Sequence, residues 1–265
     1  MGKIRLLLEY DGTRYGGWQS QRKGKTVPTI QEEIERQLEK LLKSEEASVV
    51  SAGRTDAGVH ALGQVAVFRA GPGFALPAET VKKALNAMLP GDIRVVEASD
   101  CPDGFHPRRD AARKTYFYLI AAMPHPPVFI RPYSWGLPFK MDLGRMREAA
   151  SLIAGKKDFS AFRASGCSSK TPVKNLMALE IAERQEIEFM SVRLSGDFFR
   201  ITLTADAFLR HMARNIVGTL VEVGRGRIEP DRVEQILASR DRRLAGPAAP
   251  ARGLFLERVD YDRRF

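Results

Sequence analysis

"ASVVSAGRTDAGVHALGQVAVFRA", residues 47–70, is the stretch on which the fold turns. Its first seven and last eight residues each carry two valines, joined by phenylalanine in the second run, as strands do, and a polar segment punctuated by glycine runs between them. Two strands joined by such an excursion pair with each other. The chain therefore builds a sheet here and carries Arg54, Thr55 and Asp56 at its edge or end, where loops braced by rigid elements often hold residues that do chemistry. Asp56 also has an ordinary reading: Asp-Ala-Gly is turn chemistry, in which the carboxylate bonds its own backbone and Gly58 supplies a positive φ.

Working outward, "IRLLLEY" (4–10) reads as a buried strand stopped by Asp11-Gly12. Thr29 and Glu32 form a capping box after Pro28, and Ile30, Ile34, Leu38, Leu41 and Leu42 follow at helical spacing. A helix over 78–89 places Val81, Leu85, Met88 and Leu89 on one face and closes at Pro90-Gly91, and "DIRVVEAS" is another strand. Strand, helix, paired strands, helix, strand is an α+β plan of the split β-α-β type.

The second half repeats the plan. Residues 114–122 are a strand, and Asp142 caps a helix with Leu143, Met146, Ala150 and Ile153 on its face. Long strands over 173–184 and 186–205 carry hairpin chemistry at Ser195-Gly196-Asp197. A helix over 207–224 has the stripe Leu209, Met212, Ile216, Leu220 and Val223 and ends at Gly224. A short helix near 230–239 and the strand "GLFLERVDY" complete the chain. The expected fold class is α+β: two similar ferredoxin-like halves, residues 1–105 with the Asp56 loop and residues 106–265, joined through a largely antiparallel central sheet with helices packed on it.

Lys plus Arg number 42 against 32 Asp plus Glu, a formal net charge of +10 in 265 residues. That balance points to a polyanionic partner, with a solubilising surface as the alternative. Clusters at 20–25 ("SQRKGK"), at 108–114 ("RRDAARK") and at Arg210, Arg214, Arg225 and Arg227 suit contacts along a phosphate backbone. Two distant cysteines, Cys101 and Cys167, match neither a zinc spacing nor a disulfide framework and point to a reducing cytosol. The apolar run at the start is too short for a signal-peptide core, and no membrane span follows. No phosphate-binding glycine loop, dinucleotide fingerprint, HExxH pair or nucleophile elbow is present, and four scattered histidines make no metal site.

Three groups then stand out. Arg210 and Arg214, four apart, share a face of the expected helix, and Arg214 falls between its apolar positions. It is either a solvated arginine on a helix edge or a guanidinium that pairs with a carboxylate; paired with Asp56, it would hold that side chain in one orientation and ionised, fit to act as nucleophile or base. Tyr116 and Tyr118 face the same side of their strand, as core or as a platform for an extruded base. Trp18 reads as packing under a loop.

"YDGTRYGGWQSQ", "GRTDAGVHALGQV", "NAMLPGDI", "KTYFYLI", "DFSAFRASGCSSKTPVK", "FLRHMARNIVGTLVEVG" and "APARGLFLERVDY" resemble, in order and over nearly the whole chain, the tRNA pseudouridine synthase A family. The resemblance implies isomerisation of uridine at positions 38, 39 and 40 in the anticodon arm of tRNA, by a cytoplasmic homodimer without metal or organic cofactor. It implies Asp56 as the catalytic residue, Arg54 beside the flipped nucleotide, Tyr116 as the stacking group and Arg214 as partner to Asp56. Leu254 or Leu256 would form the apolar wall of the pocket, and Arg22, Lys23, Lys170 and Arg210 would contact tRNA. Thr115 stands where basic residues are common in relatives, which lowers the charge expected beside Tyr116. Two other classes fit parts of the sequence. A non-catalytic RNA-binding or chaperone module leaves the glycine-rich Asp56 loop unexplained, and an aspartyl-phosphate transferase wants further carboxylates for Mg²⁺ that do not cluster near Asp56.

Overall fold

The computed structural model describes residues 2–19, 27–44, 47–71, 74 and 76–262. The chain forms two compact units, Met1–Ala112 with Phe255–Phe265, and Arg113–Leu254. The first holds β1 (Lys3–Tyr10), α1 (Ile30–Leu42), β2 (Val49–Ser51), β3 (His60–Arg69), α2 (Ala78–Met88) and β4 (Ile93–Cys101). β1 runs antiparallel between β4 and β3, and β2 pairs antiparallel with β3. This is the split β-α-β arrangement expected from the sequence. Along β1, Ile4, Leu6, Leu8 and Tyr10 point inward and the residues between them are half-buried, so the strand buries one face, not two. Thr29 caps α1 through the reciprocal box with Glu32, and Ile30, Ile34 and Leu38 are fully buried beneath it. Each such side chain contributes about 1.5–3 kcal/mol on leaving water.

The second unit holds β5 (Ala111–Ala121) from Arg113 onward, β6 (Trp135–Gly136), α3 (Leu143–Ile153), β7 (Gly155–Asp158), β8 (Val173–Phe189), β9 (Val192–Ala205), α4 (Met212–Gly224) and α5 (Arg232–Ser239). β5, β9 and β8 lie side by side and antiparallel, the order that β1, β3 and β2 take in the first unit. β7 extends that sheet beyond β8, and β6 pairs parallel with β5. The last strand, β10 (Leu254–Tyr261), pairs parallel with β3 through Phe255↔His60 and Leu256↔Ala61. The C-terminal strand thus returns to the first unit, a step that the single cut at 105 does not contain.

Two local expectations are corrected. The hairpin between β8 and β9 turns at Met190-Ser191, with φ of 49° and 63°, and Ser195-Gly196-Asp197 lies inside β9. A two-residue turn of this hand needs positive φ at both positions and ordinarily announces itself as Asn-Gly; Met-Ser does not. Gly196 instead allows the close approach of the Met123 side chain. The helix expected over 207–224 begins only at Met212, because His211 has φ 61°, a conformation that a right-handed helix cannot contain. At its other end Gly224 still belongs to α4, where a Cβ would lie 2.7 Å from Met146 Sδ, and Gly226, with φ 73°, takes the left-handed position beyond it. Among the described residues no helix is long and apolar enough to cross a membrane.

Candidate active site

The Asp56 loop leaves β2 and returns as β3. Ala52 N donates to Val65 O at 2.7 Å and carries the pairing one residue past the strand. At the far side Val59 N donates to Asp56 O at 3.1 Å, and Gly58 takes φ 75°, the positive value expected of it. Between these closures Arg54 is exposed, Thr55 buried and Asp56 half-buried. The loop therefore sinks Thr55 and keeps its two charged neighbours nearer the surface.

The segment after β1 braces that loop from behind. Trp18 N donates to Thr55 O at 3.0 Å and Gly12 N to His60 Nδ1 at 3.1 Å. Gly17 has φ 96°, and a Cβ there would fall 2.7 Å from Thr55 O, so glycine alone permits the contact. Trp18 is 2 % exposed and packs as expected, its ring 6.1 Å from that of Tyr10. The Tyr10 hydroxyl lies 2.9 Å from Thr55 Oγ1, while Gln64 Nε2 donates to Gly53 O at 2.7 Å and to the Tyr10 oxygen at 3.4 Å. Burial pushes the Tyr10 phenol up to about 12. These buried partners were not singled out from the sequence, although Tyr10, Thr55 and Gln64 all fall within two of the strings that carry the family resemblance.

Positive charge gathers in the same unit. His106 Nδ1 accepts from Arg108 N at 3.2 Å and Arg109 N at 3.3 Å, and Asp110 Oδ2 accepts from His106 N at 2.7 Å, a turn that puts both arginines on the surface. Partial burial, and then the Arg54 cation nearby, hold the Arg108 guanidinium below its ordinary value. Arg22 and Lys23 lie outside the described residues.

In the second unit α4 carries Arg214. Its Nε donates to Ala249 O at 2.7 Å while Ala249 N donates to Arg214 O at 3.0 Å, a reciprocal pair that fixes the side chain's root. The helix under it is buried nearly all round, and even its polar residues are satisfied: Asn215 Nδ2 donates to Phe162 O at 2.7 Å and Thr219 Oγ1 to Asn215 O at 2.8 Å. Arg210, in the turn before α4, does not share a helix face with Arg214. Its guanidinium donates to Ser165 O at 3.0 Å and ties the 163–172 loop, on which Lys170 is exposed, to that turn. Arg225 and Arg227 both pair with Glu222, at 3.1 and 3.4 Å. The arginines that look like one basic group in sequence therefore serve three separate ends.

Tyr116 is 6 % exposed and meets Phe208 edge-on at 4.9 Å. Tyr118, its neighbour on the same face, is fully buried and donates to Pro250 O at 2.7 Å. Its hydroxyl is committed, and burial pushes its pKa far up. Thr115 is buried at 1 % with its hydroxyl 3.1 Å from Thr204 Oγ1, a cross-strand pair. Leu254 and Leu256 are both buried, and Phe255 between them stacks on His60 at 4.6 Å. Asp56, Arg54 and Leu256 belong to the first unit; Tyr116, Arg214, Arg210, Lys170 and Leu254 belong to the second.

The chain matches the family model described as tRNA pseudouridine synthase over residues 7–109 and 149–262. It is 41 % identical over 261 residues to the tRNA pseudouridine synthase A of Thermodesulfovibrio yellowstonii, covering 98 % of this chain and 100 % of that one. It is 45 % identical over 258 residues to that of Moorella thermoacetica, covering 97 % and 99 %, and 42 % identical over 261 residues to that of Myxococcus xanthus, covering 98 % and 92 %. Among solved structures, an archaeal box H/ACA sRNP Nop10-Cbf5 complex matches 84 % of this chain and 44 % of that chain at a TM-score of 0.33 and 13 % identity, a slight likeness. A family match across both units and relatives of this identity along almost their whole length make the chain a member of the tRNA pseudouridine synthase family.

Proposed function

We propose that this isomerase converts uridine to pseudouridine at positions 38, 39 and 40 in the anticodon stem-loop of tRNA, with Asp56 as the catalytic residue. The observation that carries the reading is the Asp56 loop: in a chain of this family, a half-buried carboxylate stands on a loop whose backbone is closed on both sides and braced by a second glycine-rich segment. That is the rigid mounting a reacting group needs.

The reaction breaks the C1′–N1 bond, turns the uracil, joins C5 to C1′ and moves the C5 proton to N1. Composition and redox state are unchanged, so the reading routes no step through a metal or an organic cofactor. The uridine leaves its helix and stacks on Tyr116, with Arg54 beside the vacated position. Arg214, anchored through Nε to Ala249 O, offers a guanidinium to Asp56 and sets its orientation. Leu254 or Leu256 walls the uracil from water, which protects the detached base and the sugar from side reactions. Lys170 and Arg210, with Arg22 and Lys23, engage the tRNA backbone, and the working unit is a cytoplasmic homodimer. Asp56 acts either by attack on C1′ or by removal of the C2′ proton. Deuterium at C2′ separates the two, because a primary isotope effect accompanies only the second.

Mapping pseudouridine in tRNA from cells that lack this protein tests the reading. Loss confined to positions 38–40, restored by the wild-type gene and not by Asp56→Asn, is the expected result; unchanged modification at all three positions refutes it.

A further inference from the structure

We propose that the Tyr10 phenol, held between Gln64 and Thr55, is a positioning residue for the isomerisation, and that it fixes where the Asp56 carboxylate stands. The inference rests on the reading of Asp56 as catalytic and adds the part that aims it. The Gln64 amide nitrogen can only donate, so the Tyr10 oxygen accepts from it at 3.4 Å, and the Tyr10 and Thr55 hydroxyls share a hydrogen bond at 2.9 Å. The same amide nitrogen holds Gly53 O at 2.7 Å, and Trp18 N holds Thr55 O at 3.0 Å. Residues 53 and 55 are thus pinned by side chain and backbone together, and Asp56 is the next residue along.

Burial makes these bonds count. Tyr10, Gln64 and Thr55 are 4 %, 0 % and 6 % exposed, and polar contacts in so dry a setting are stiffer than in water. The phenol, pushed up to about 12, keeps its proton across the neutral range. Gln64 Oε1 is buried without a hydrogen-bond partner among the described residues. A half-satisfied buried amide costs stability.

Steady-state kinetics of the full-length protein on tRNA, read with thermal melts, test this. Tyr10→Phe removes one oxygen, Thr55→Val removes the hydroxyl at constant shape, and Thr55→Ser restores it. Tyr10→Phe and Thr55→Val are each expected to lower kcat about 10- to 100-fold with KM for tRNA within about twofold. Thr55→Ser should recover most of what Thr55→Val loses, and the double variant should be no slower than the worse single one. Wild-type kcat in both oxygen-deleted variants overturns the proposal, as does a kcat loss that disappears when assays are run well below a lowered melting temperature. Asp56→Asn, assayed alongside, separates the two levels. If it turns over, the underlying reading fails and takes this one with it; if it is inactive while Tyr10→Phe and Thr55→Val run normally, only the positioning role fails.

Discussion

At the scale of single residues, Arg214 shows how a side chain can be held by the backbone beside its own helix. With Nε committed to Ala249 O, the guanidinium plane is fixed by α4 and by the segment alongside it. Arg214→Ala is expected to cut kcat by about 10²-fold while KM changes little, because it removes orientation and not tRNA binding. Arg214→Lys should not rescue, since an ammonium lacks the planar fork. If steady-state assays show intact kcat and only a flatter salt dependence of binding, Arg214 is a phosphate contact. His106 offers a second check at this scale. Partial burial, and then the Arg109 cation, hold its pKa below the usual 6.5, and its Nδ1 accepts two backbone N–H groups. Above about pH 6.5 the ring is neutral in both folded and unfolded chains; as pH falls past it the unfolded chain takes the proton first, and stability is lost. Melting curves from about pH 7.5 to about pH 5.5 should fall more steeply for the wild type than for His106→Asn; parallel curves would contradict this. The loop that carries Asp56 was legible in the sequence because glycines punctuate it between two strand-forming runs. Its buried supports were not, because Tyr10 and Thr55 are 45 positions apart in the chain and meet only once β1 and the loop are side by side.

Among elements, legibility followed local chemistry. The capping box at Thr29 and the Asp142 cap could be read directly, because each is made by residues three apart. The turn at Met190-Ser191 could not, since nothing in either side chain asks for positive φ; the long β8–β9 ladder imposes it. The start of α4 was missed for the same reason, as the apolar spacing continues through Leu209 while the backbone breaks at His211. The misread turn gives a prediction. Left-handed backbone costs an ordinary residue roughly 1–2 kcal/mol, so replacing Met190-Ser191 with Asn-Gly should raise the melting temperature by a few degrees without altering kcat. A lower melting temperature would mean that the Met190 or Ser191 side chain stabilises the turn by contacts of its own.

For the whole molecule, the α+β class and the repeated plan followed from the order of elements, because the hydrophobic period changes cleanly from strand to helix in both halves. The return of β10 to β3 did not, since a terminal strand carries no signal for the partner it will choose. The net charge of +10 is likewise only half of an argument until the structure sorts it. Arg225 and Arg227 are spent on Glu222, whereas Lys170 is exposed. In a plot of log Kd for tRNA against log salt, Lys170→Ala should reduce the slope by about one and Arg227→Ala should leave it nearly unchanged; the reverse order would move the tRNA path to α4. In the proposed function all of this binding serves one carboxylate. The most direct measurement is therefore single-turnover tritium release from C5-labelled tRNA saturated with Asp56→Asn, beside its tRNA affinity. No release above background with a Kd within about threefold of wild type is the result predicted. Release at the wild-type rate would remove Asp56 from the chemistry and leave its loop an ordinary turn.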